Sequence, residues 1–367
     1  MPEFSNQTII LKNAPSGEVN PELGLTTSTF ELQDSQFSTD NLKPTEIAIK
    51  SLYFSNDPSQ RSWIQKNQDL KRLYIDHPIK ETQPMLSNSL SEIIALGSDL
   101  VQDGKFKVGQ VYTGLTSWSK YSIVEPKDLF FPVDTNGPFP LYYHLSLFGI
   151  TTMAAWAGVS QVFQVGPEDT VVVSAASGAT GNMAVQLAKK VYGAKKVIGI
   201  TSSEDQAKFV ESIGADVGLN YHDEDFENQL DEAVGAKGTT FYFDCVGGWM
   251  LDLVLDTMAT NGRVLACGSI AGYNDRSKSV VHNWSIITPR RLNVKGFIVL
   301  DYFGKAKEFA GVIGKAYQEG KISFKEGENV SVANCSGDKF ANVPKTWKKL
   351  FDDDKPSGKL ITFVSDL

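Results

Sequence analysis

Residues 171–181 constrain the fold of this chain more than any other part of its sequence. The β-branched run Val171–Val173 opens into Ser174–Gly181, which holds only serine, alanine, threonine and glycine, and a helical apolar pattern follows. Small residues let backbone N–H groups approach phosphate oxygens, and the start of a helix adds positive partial charge. The pattern predicts a strand–turn–helix that binds a dinucleotide; a tight turn in an α/β protein without a ligand is the alternative.

This predicted phosphate turn has the order Ala176-x-Gly178-x-x-Gly181, in which alanine replaces the first glycine of the usual fingerprint. Its context supports the motif, because a strand precedes it, a helix follows it and a second strand, Lys196–Thr201, closes a βαβ unit. The residues predicted to contact the cofactor here are Ala176, Ser177, Gly178, Ala179, Thr180 and Gly181.

Strands and helices alternate in the second part of the chain, whereas residues 1–140 are β-rich and irregular. The predicted strands are Thr170–Ser174, Lys196–Thr201, Val217–Asn220, Phe241–Asp244, Arg263–Cys267 and Val294–Val299, and the predicted helices are 180–193, 203–214, 223–235, 248–260 and 303–319. This alternation predicts an α/β fold with a doubly wound parallel sheet, and a phosphate turn after its first strand is typical of a Rossmann domain. The final run, Lys359–Val364, predicts a strand that returns to the β-rich part.

Composition narrows the class of protein. The formal net charge of −8 argues against a dedicated nucleic-acid surface, which needs a basic stripe. No apolar run is long enough to cross a membrane, and the N-terminal residues lack the pattern of a signal peptide. Cys245, Cys267 and Cys335 form an odd, widely spaced set that suits a reducing compartment. We therefore expect a cytoplasmic protein that binds neither nucleic acid nor a membrane.

Two kinds of chemistry lack their sequence signals. Zinc sites place cysteine and histidine at ligand spacing, but His77, His144, His222 and His282 are scattered and none pairs with a cysteine. The G-x-S-x-G turn of serine hydrolases is also absent from the sequence. We therefore expect neither a bound metal nor hydrolytic activity.

Several segments together resemble one known family. They are Leu52–Arg61, Asn220-Tyr221, Phe243–Gly248, Gly262–Asn274 and Arg290–Val299, added to the phosphate turn. The chain resembles the zinc-free medium-chain dehydrogenases/reductases, and within them the leukotriene B4 dehydrogenase/prostaglandin reductase group of NADPH-dependent alkenal double-bond reductases. The resemblance implies a GroES-like substrate domain (1–144 and 325–367) and a Rossmann domain (145–324), with cofactor and substrate in the cleft between them.

The resemblance also implies roles for single residues. Tyr273 matches a family tyrosine near the nicotinamide and substrate, and its neutral phenol can donate a hydrogen bond to a carbonyl oxygen. Tyr53 is expected to line the substrate pocket. Further cofactor contacts are implied at Val246, Gly247, Gly268, Ser269, Phe297, Ile298 and Val299.

The end of the second Rossmann strand bears on the choice between NADH and NADPH. An NAD-preferring domain usually carries Asp or Glu there, whereas this strand ends in Thr201-Ser202, which leaves room for a 2′-phosphate. Tyr221 matches a family tyrosine that reaches the same phosphate. Where relatives often have a lysine this chain has Gln206, and Lys208 is the predicted substitute, although it lies on a different helix face. NADP is the predicted cofactor.

The sequence leaves alternatives open. In the C-terminal tail Pro356 replaces a family asparagine, so a cofactor contact made there by relatives is expected to be lost or remodelled. The predicted reaction is hydride transfer to the β-carbon of an α,β-unsaturated aldehyde or ketone. The alternatives are an NADPH quinone reductase and a catalytically silent NADPH-binding redox sensor. A homodimer is implied by the resemblance only.

Overall fold

The structure is a computed structural model that describes residues 4–73, 75, 78–352 and 355–367. The chain divides into two compact units. The first comprises Met1–Leu145, Val332–Lys355 and Leu360–Leu367, and the second comprises Ser146–Ser331 and Pro356–Lys359.

The regular elements are numbered in chain order. The strands are β1 Phe4–Leu11, β2 Phe30–Phe37, β3 Ile47–Ser55, β4 Leu86–Leu96, β5 Val111–Ser117, β6 Tyr121–Val124, β7 Leu129–Val133, β8 Thr170–Val173, β9 Lys196–Thr201, β10 Val217–Asn220, β11 Thr239–Asp244, β12 Met258–Ala266, β13 Asn293–Gly296, β14 Val330–Asn334 and β15 Lys359–Phe363. The α-helices are α1 Gln60–Trp63, α2 Ser98–Asp103, α3 Ile150–Trp156, α4 Ala179–Gln186, α5 Glu204–Ile213, α6 Phe226–Val234, α7 Gly248–Thr257, α8 Ile287–Arg290, α9 Ala306–Gln318 and α10 Val343–Lys348.

The second unit holds a six-stranded parallel sheet in the order β10-β9-β8-β11-β12-β13. This order runs outward in both directions from the first strand of the unit, which is the arrangement of a doubly wound Rossmann fold and confirms the predicted fold class. All four residues of β8 are buried, as expected for a central strand with helices on both faces. The phosphate turn follows this strand, so it lies at the carboxyl edge of the sheet.

The first unit is built around a sheet in the order β14-β15-β3-β4-β5-β7, with β6 paired to β3, and its pairs from β15 to β7 are antiparallel. The predicted return of the final strand is confirmed, because β15 pairs with β3 from Ile361↔Ser55 to Phe363↔Tyr53. A separate hairpin joins β1 to β2. The core of this unit contains three fully buried aromatic residues, Phe30, Trp118 and Trp347, whose ring centroids lie 5.6–6.0 Å apart.

The Asp-Pro turn after β3 is a structural feature of the first unit. The backbone carbonyl of Asp57 accepts a hydrogen bond from Trp347 Nε1 at 3.0 Å, and its carboxylate accepts one from the Ser55 hydroxyl at 2.6 Å. Arg61 is fully buried and donates to the carbonyl of Gly17 at 2.6 Å. Burial lowers the pKa of its guanidinium to about 10. These contacts tie three distant parts of the chain together.

Several predicted boundaries in the second unit differ from the structure, among them the following two. The predicted strand Val294–Val299 ends at Gly296, because its ladder partner β12 ends at Ala266, which pairs with Gly296. The predicted helix 180–193 is α-helical only to Gln186 and continues as a π-helical turn, Leu187–Val191. The early end of the strand depends on a tertiary partner that a local pattern does not contain.

Candidate cofactor and active site

The phosphate turn joins β8 to α4 through a strained backbone. Ala175 has a φ of 48°, in the left-handed region that few non-glycine residues occupy. Its neighbour Ala176 is fully buried and donates its N–H to the Ile200 carbonyl of the adjacent strand at 2.9 Å. Gly178 immediately precedes α4, so the N–H groups of the first helical turn point out of the sheet edge.

Close packing behind this turn accounts for its small residues. A Cβ atom at Gly181 would lie 2.2 Å from the carbonyl oxygen of Ala175, so α4 approaches the turn as closely as only glycine permits. A Cβ atom at Gly199 of β9 would meet Ala176 and Val210 at 3.0 Å each. The helix terminus is thereby held against the sheet edge, where the first N–H groups of α4 lack an acceptor within the helix, and these residues fit a pyrophosphate group.

The C-terminal tail meets the phosphate turn directly. Gly358 donates its N–H to the Ser177 carbonyl at 2.7 Å and forms a parallel bridge with Gly178. It has a φ of 74°, and a Cβ atom there would lie 2.0 Å from the carbonyl of Asn329. The contact therefore uses the backbone alone, and Pro356 stands two residues before it in the place of the family asparagine.

The carboxyl end of β9 brings together three of the predicted cofactor residues. Tyr221 donates its N–H to the carbonyl of Thr201 at 3.0 Å, which sets the two residues side by side. The Ser202 hydroxyl donates to Gln206 Oε1 at 2.9 Å, so the glutamine side chain folds back onto the strand end. The Tyr221 ring also packs edge-on against Trp249, with centroids 5.5 Å apart.

Lys208 lies on an exposed face of α5. Its ammonium group pairs with Glu204 Oε1 at 3.4 Å, and both side chains are about two-thirds exposed, at 67% and 68%. The Lys208 side chain is therefore paired with a carboxylate one helical turn earlier. The residue of α5 that contacts Ser202 is Gln206.

A buried carboxylate organises the turn after β11. Asp244 Oδ1 accepts hydrogen bonds from Val246 N at 3.0 Å, Gly247 N at 2.9 Å and the Tyr242 hydroxyl at 2.9 Å. The Ser174 hydroxyl contributes a longer bond at 3.3 Å and itself accepts from Cys245 N at 2.9 Å. Burial, partly offset by these donors, raises the pKa of Asp244 above its usual range.

The turn after β12 is locked to the turn after β11. Ile270 donates its N–H to the Cys245 carbonyl at 3.3 Å, and Ala271 donates to that of Val246 at 3.1 Å. Gly247 has a φ of 68°, and a Cβ atom there would lie 2.7 Å from Ser269 Oγ. The predicted residues Val246, Gly247, Gly268 and Ser269 are therefore brought together at the carboxyl edge of the sheet.

Tyr273 follows directly from this pair of turns. It ends the 3₁₀ turn Ile270–Gly272, donates its N–H to the Ile270 carbonyl at 3.2 Å and is half-buried. A Cβ atom at Gly272 would lie 1.7 Å from the Ser279 hydroxyl oxygen, so the chain before the tyrosine passes tightly against the next turn. The backbone of Tyr273 is thus fixed relative to Val246 and Ser269.

Phe297, Ile298 and Val299 lie just beyond the sheet. Phe297 and Ile298 follow the last residue of β13, and Val299 begins a 3₁₀ helix that runs to Lys305. Their backbone groups are consequently outside the β12–β13 ladder. The strand predicted for this segment is wrong, although the cofactor role predicted for it does not require a strand.

Tyr53 belongs to an aromatic group in the first unit. It is half-buried on β3, and its ring centroid lies 5.3 Å from that of Phe363 and 6.2 Å from that of Tyr142. Tyr142 in turn packs against Tyr143 at 5.3 Å. These rings form a continuous aromatic surface that fits the wall of an apolar pocket.

Among the described residues, no group of three or more His, Cys, Asp and Glu side chains is arranged to hold a metal ion. His222 packs against the Tyr221 ring at 4.3 Å, and burial lowers the pKa of His144. His77 lies outside the described residues. In the part of the chain that the structure describes, no helix is long and apolar enough to cross a membrane.

Asp244 and the tail glycine Gly358 carry structural roles at the site that the sequence patterns did not assign. An acidic residue directly after the aromatic run Phe241–Phe243 is a usable signal, because a buried carboxylate needs donors nearby. The contact of Gly358 with the phosphate turn joins residues far apart in the sequence, and no local pattern predicts it.

Comparisons with known proteins agree with this geometry. Residues 7–131 match a family model described as the N-terminal domain of oxidoreductase, and residues 179–315 match one described as zinc-binding dehydrogenase. The chain is 33% identical to a Saccharomyces cerevisiae protein named as an uncharacterized membrane protein, over 97% of this chain and 98% of that one.

Two further similarities bear on the cofactor. The chain is 30% identical to the NADP-dependent 2-alkenal reductase of Nicotiana tabacum, over 88% of this chain and 90% of that one. The crystal structure of CurA from Vibrio vulnificus in complex with NADPH superposes with a TM-score of 0.81 at 26% identity, covering 98% of this chain and all of that one. The chain therefore belongs to the zinc-free alkenal reductase family of medium-chain dehydrogenases/reductases.

Proposed function

We propose that the protein uses NADPH to reduce the C=C bond of α,β-unsaturated aldehydes and ketones. The observation that carries this proposal is the position of Tyr273, a half-buried phenol that follows two interlocked turns at the carboxyl edge of the Rossmann sheet. Cofactors bind at this edge in open α/β sheets. A hydrogen-bond donor there is what reduction of an enone requires.

The phosphate turn and the end of β9 are proposed to hold the cofactor. The N–H groups at the start of α4 face the pyrophosphate, while Thr201, Ser202 and Tyr221 surround the 2′-phosphate of the adenosine ribose. Hydroxyl groups at this position do not repel a phosphate as a carboxylate would. Lys208 remains a proposed contact, and it must leave Glu204 to make it.

The turns after β11 and β12 are proposed to hold the reacting end. Val246, Gly247, Gly268 and Ser269 present backbone groups and small side chains, so a flat ring can lie close to them. Phe297, Ile298 and Val299 supply backbone groups that are outside the sheet ladder. Asp244 acts as a positioning residue, because its carboxylate accepts the backbone N–H groups of Val246 and Gly247 and so fixes this turn.

The chemistry that NADPH supplies is a hydride to the β-carbon of the substrate. Negative charge then develops on the carbonyl oxygen, and the Tyr273 hydroxyl stabilises it by donating a hydrogen bond. One such donor typically contributes ~2.7–4 kcal/mol to the transition state. A proton from solvent water then reaches the α-carbon and completes the saturated carbonyl product. Tyr53 of the first unit remains a proposed substrate contact.

The proposal is tested by initial rates of NADPH oxidation and, separately, NADH oxidation by the purified protein. The substrates are α,β-unsaturated aldehydes, cyclic and open-chain enones, and simple quinones. We expect NADPH consumption with enals or enones and a saturated carbonyl product, identified by mass spectrometry. Turnover with quinones alone would assign the protein to the quinone reductases. Tight NADPH binding without turnover of any substrate would favour a silent sensor.

A homodimer is also proposed. The strand β13 ends the six-stranded sheet, and two apolar residues beyond it, Ile298 and Leu300, are more than a third exposed. An edge strand with apolar neighbours is suited to pairing with its copy. Light scattering coupled to size exclusion tests this, with a monomer mass as the contrary result. The cytoplasmic location stays a prediction.

A further inference from the structure

Two of the three cysteines lie next to each other at the carboxyl edge of the Rossmann sheet. The strands β11 and β12 are parallel and pair Asp244 with Ala266, so Cys245 and Cys267 are the first residues after the two strands. The ladder continues past the pair, since Cys267 donates its N–H to the Asp244 carbonyl at 2.9 Å. Neighbouring strands are about 4.8 Å apart, and register partners point to the same face.

The two thiols interact with each other. Both cysteines are free and half-buried, and a hydrogen bond between their side chains, together with burial, raises the pKa of Cys245 well above its usual range. The third cysteine is different: Cys335 is buried in the first unit, and its Sγ lies 3.5 Å from the Thr346 hydroxyl. Only Cys245 and Cys267 therefore form a pair, and Cys245 is held in the protonated form.

We propose that Cys245 and Cys267 form a two-thiol site for a soft, thiophilic ligand of the trivalent arsenical class. Each thiol loses its proton and forms one S–As bond, and the oxygen of the arsenoxide leaves as water. Arsenic remains trivalent and neither sulfur is oxidised, so no further reactant is needed. Two sulfur atoms held just beyond the ends of adjacent strands can bind one centre without the entropy loss of bringing them together.

The position of this site couples it to the cofactor. Cys245 directly precedes Val246-Gly247, and Cys267 directly precedes Gly268-Ser269. A ligand bound to both sulfur atoms therefore competes with the cofactor. This competition rests on the proposed function, in which these turns hold the reacting end of NADPH. Bound NADPH should then shield the thiols from the ligand.

The test uses the full-length, reduced protein and phenylarsine oxide as the probe. Intact-mass spectrometry after treatment and an excess of a monothiol should find one phenylarsenic bridge per chain, removable by a dithiol such as dimercaptopropanol. Cys245→Ser and Cys267→Ser should each lose at least nine-tenths of the monothiol-resistant adduct, whereas the matched control Cys335→Ser keeps it. An adduct that survives in either of the first two variants, or no adduct in the wild type, overturns the proposal.

Two further measurements keep the result interpretable. Circular dichroism verifies the fold of each variant, and peptide mapping of the wild-type adduct must place the arsenic on both cysteines, which does not depend on any variant. Saturating NADPH should slow adduct formation at least tenfold. A bridge on the correct cysteines that NADPH does not slow would leave the two-thiol site standing and would contradict the placement of the cofactor beside it.

Discussion

The Oδ1 atom of Asp244 accepts the backbone N–H of Gly247 at 2.9 Å, and this one bond joins the end of a buried strand to a glycine in the left-handed region. The same oxygen accepts Val246 N, so two consecutive amides converge on one carboxylate. Asp244 is 2% exposed, and the cost of its burial is offset by these donors. The shape of the turn is therefore coupled to the ionisation of a buried acid.

Replacement of Asp244 by Asn should change how stability depends on pH. Burial raises the folded-state pKa of Asp244 above its unfolded value, so the protonated form is favoured in the folded protein, and stability is lost as the pH rises through the folded pKa. The amide that replaces the carboxyl group cannot titrate. Urea unfolding of both proteins between about pH 4 and pH 7 should therefore find the wild type losing stability relative to the variant as the pH rises. The opposite slope would mean that the backbone donors outweigh burial.

Local patterns predicted much of the Rossmann half of the chain, because strands such as β8 and β9 are short apolar runs bounded by turn residues. The strands β9 and β10 have the predicted bounds, Lys196–Thr201 and Val217–Asn220. The phosphate turn was also identifiable, since Gly178 and Gly181 stand at fixed spacing between a strand and a helix. Its left-handed residue is Ala175, one position before the residue that replaces the first fingerprint glycine.

Features that depend on distant partners were not predictable in this way. The strand β2, Phe30–Phe37, has mostly polar, exposed residues and forms through pairing with β1. Phe297-Ile298-Val299 is as apolar as a strand, yet its neighbour ends at Ala266 and leaves it without a ladder. The convergence of Ser174, Tyr242 and Gly247 on Asp244 likewise requires the assembled sheet.

Replacement of Gly181 by Ala should weaken NADPH binding. The new Cβ atom would lie 2.2 Å from the Ala175 carbonyl oxygen, so α4 must move away from the phosphate turn. We expect the Kd for NADPH, measured by fluorescence titration, to rise at least tenfold. The matched control is Gly311→Ala on α9, where no atom lies within 4 Å of the added carbon. That variant should gain about 0.5–1 kcal/mol of stability and bind NADPH as the wild type does. Equal affinity in both variants would contradict the close fit at the turn.

If Lys208 contacts the 2′-phosphate, replacement of Glu204 by Gln should change the KM for NADPH but not the KM for NADH. The ion pair that holds this lysine is exposed and worth about 0.3–0.5 kcal/mol, so its loss makes the ammonium group available. The KM for NADPH should fall while that for NADH stays constant, and Lys208→Ala should raise the NADPH value alone. If neither variant alters the ratio of the two constants, Lys208 is not a cofactor contact.

Replacement of Tyr273 by Phe should lower turnover with enones at least tenfold. The phenyl ring fills nearly the same space, but the donor for the developing oxyanion is gone, which corresponds to the loss of one such interaction. The KM for NADPH should change little, because the turn backbone is held by Ile270 and Ser269 in either case. An unchanged kcat with enones would remove the donor role from Tyr273. Tyr302→Phe, on the 3₁₀ helix after β13, is the matched control.

The alkylation of Cys245 should follow an unusual pH profile in the cofactor-free protein. Only the thiolate reacts with iodoacetamide, and the pKa of Cys245 is raised chiefly by the hydrogen bond of its protonated thiol with Cys267 and by burial. At the roughly 8.5 of an ordinary thiol Cys245 should therefore still be mostly protonated, and its rate should reach half its maximum at higher pH. Cys267→Ala removes the larger cause and should move this midpoint downward, whereas Cys335→Ala should leave it in place. Peptide-resolved mass spectrometry gives each rate separately, and a wild-type midpoint at or below that of a free thiol would contradict the pairing. Because enals also add to thiolates, the same protonation should protect the site from the proposed substrates near neutral pH.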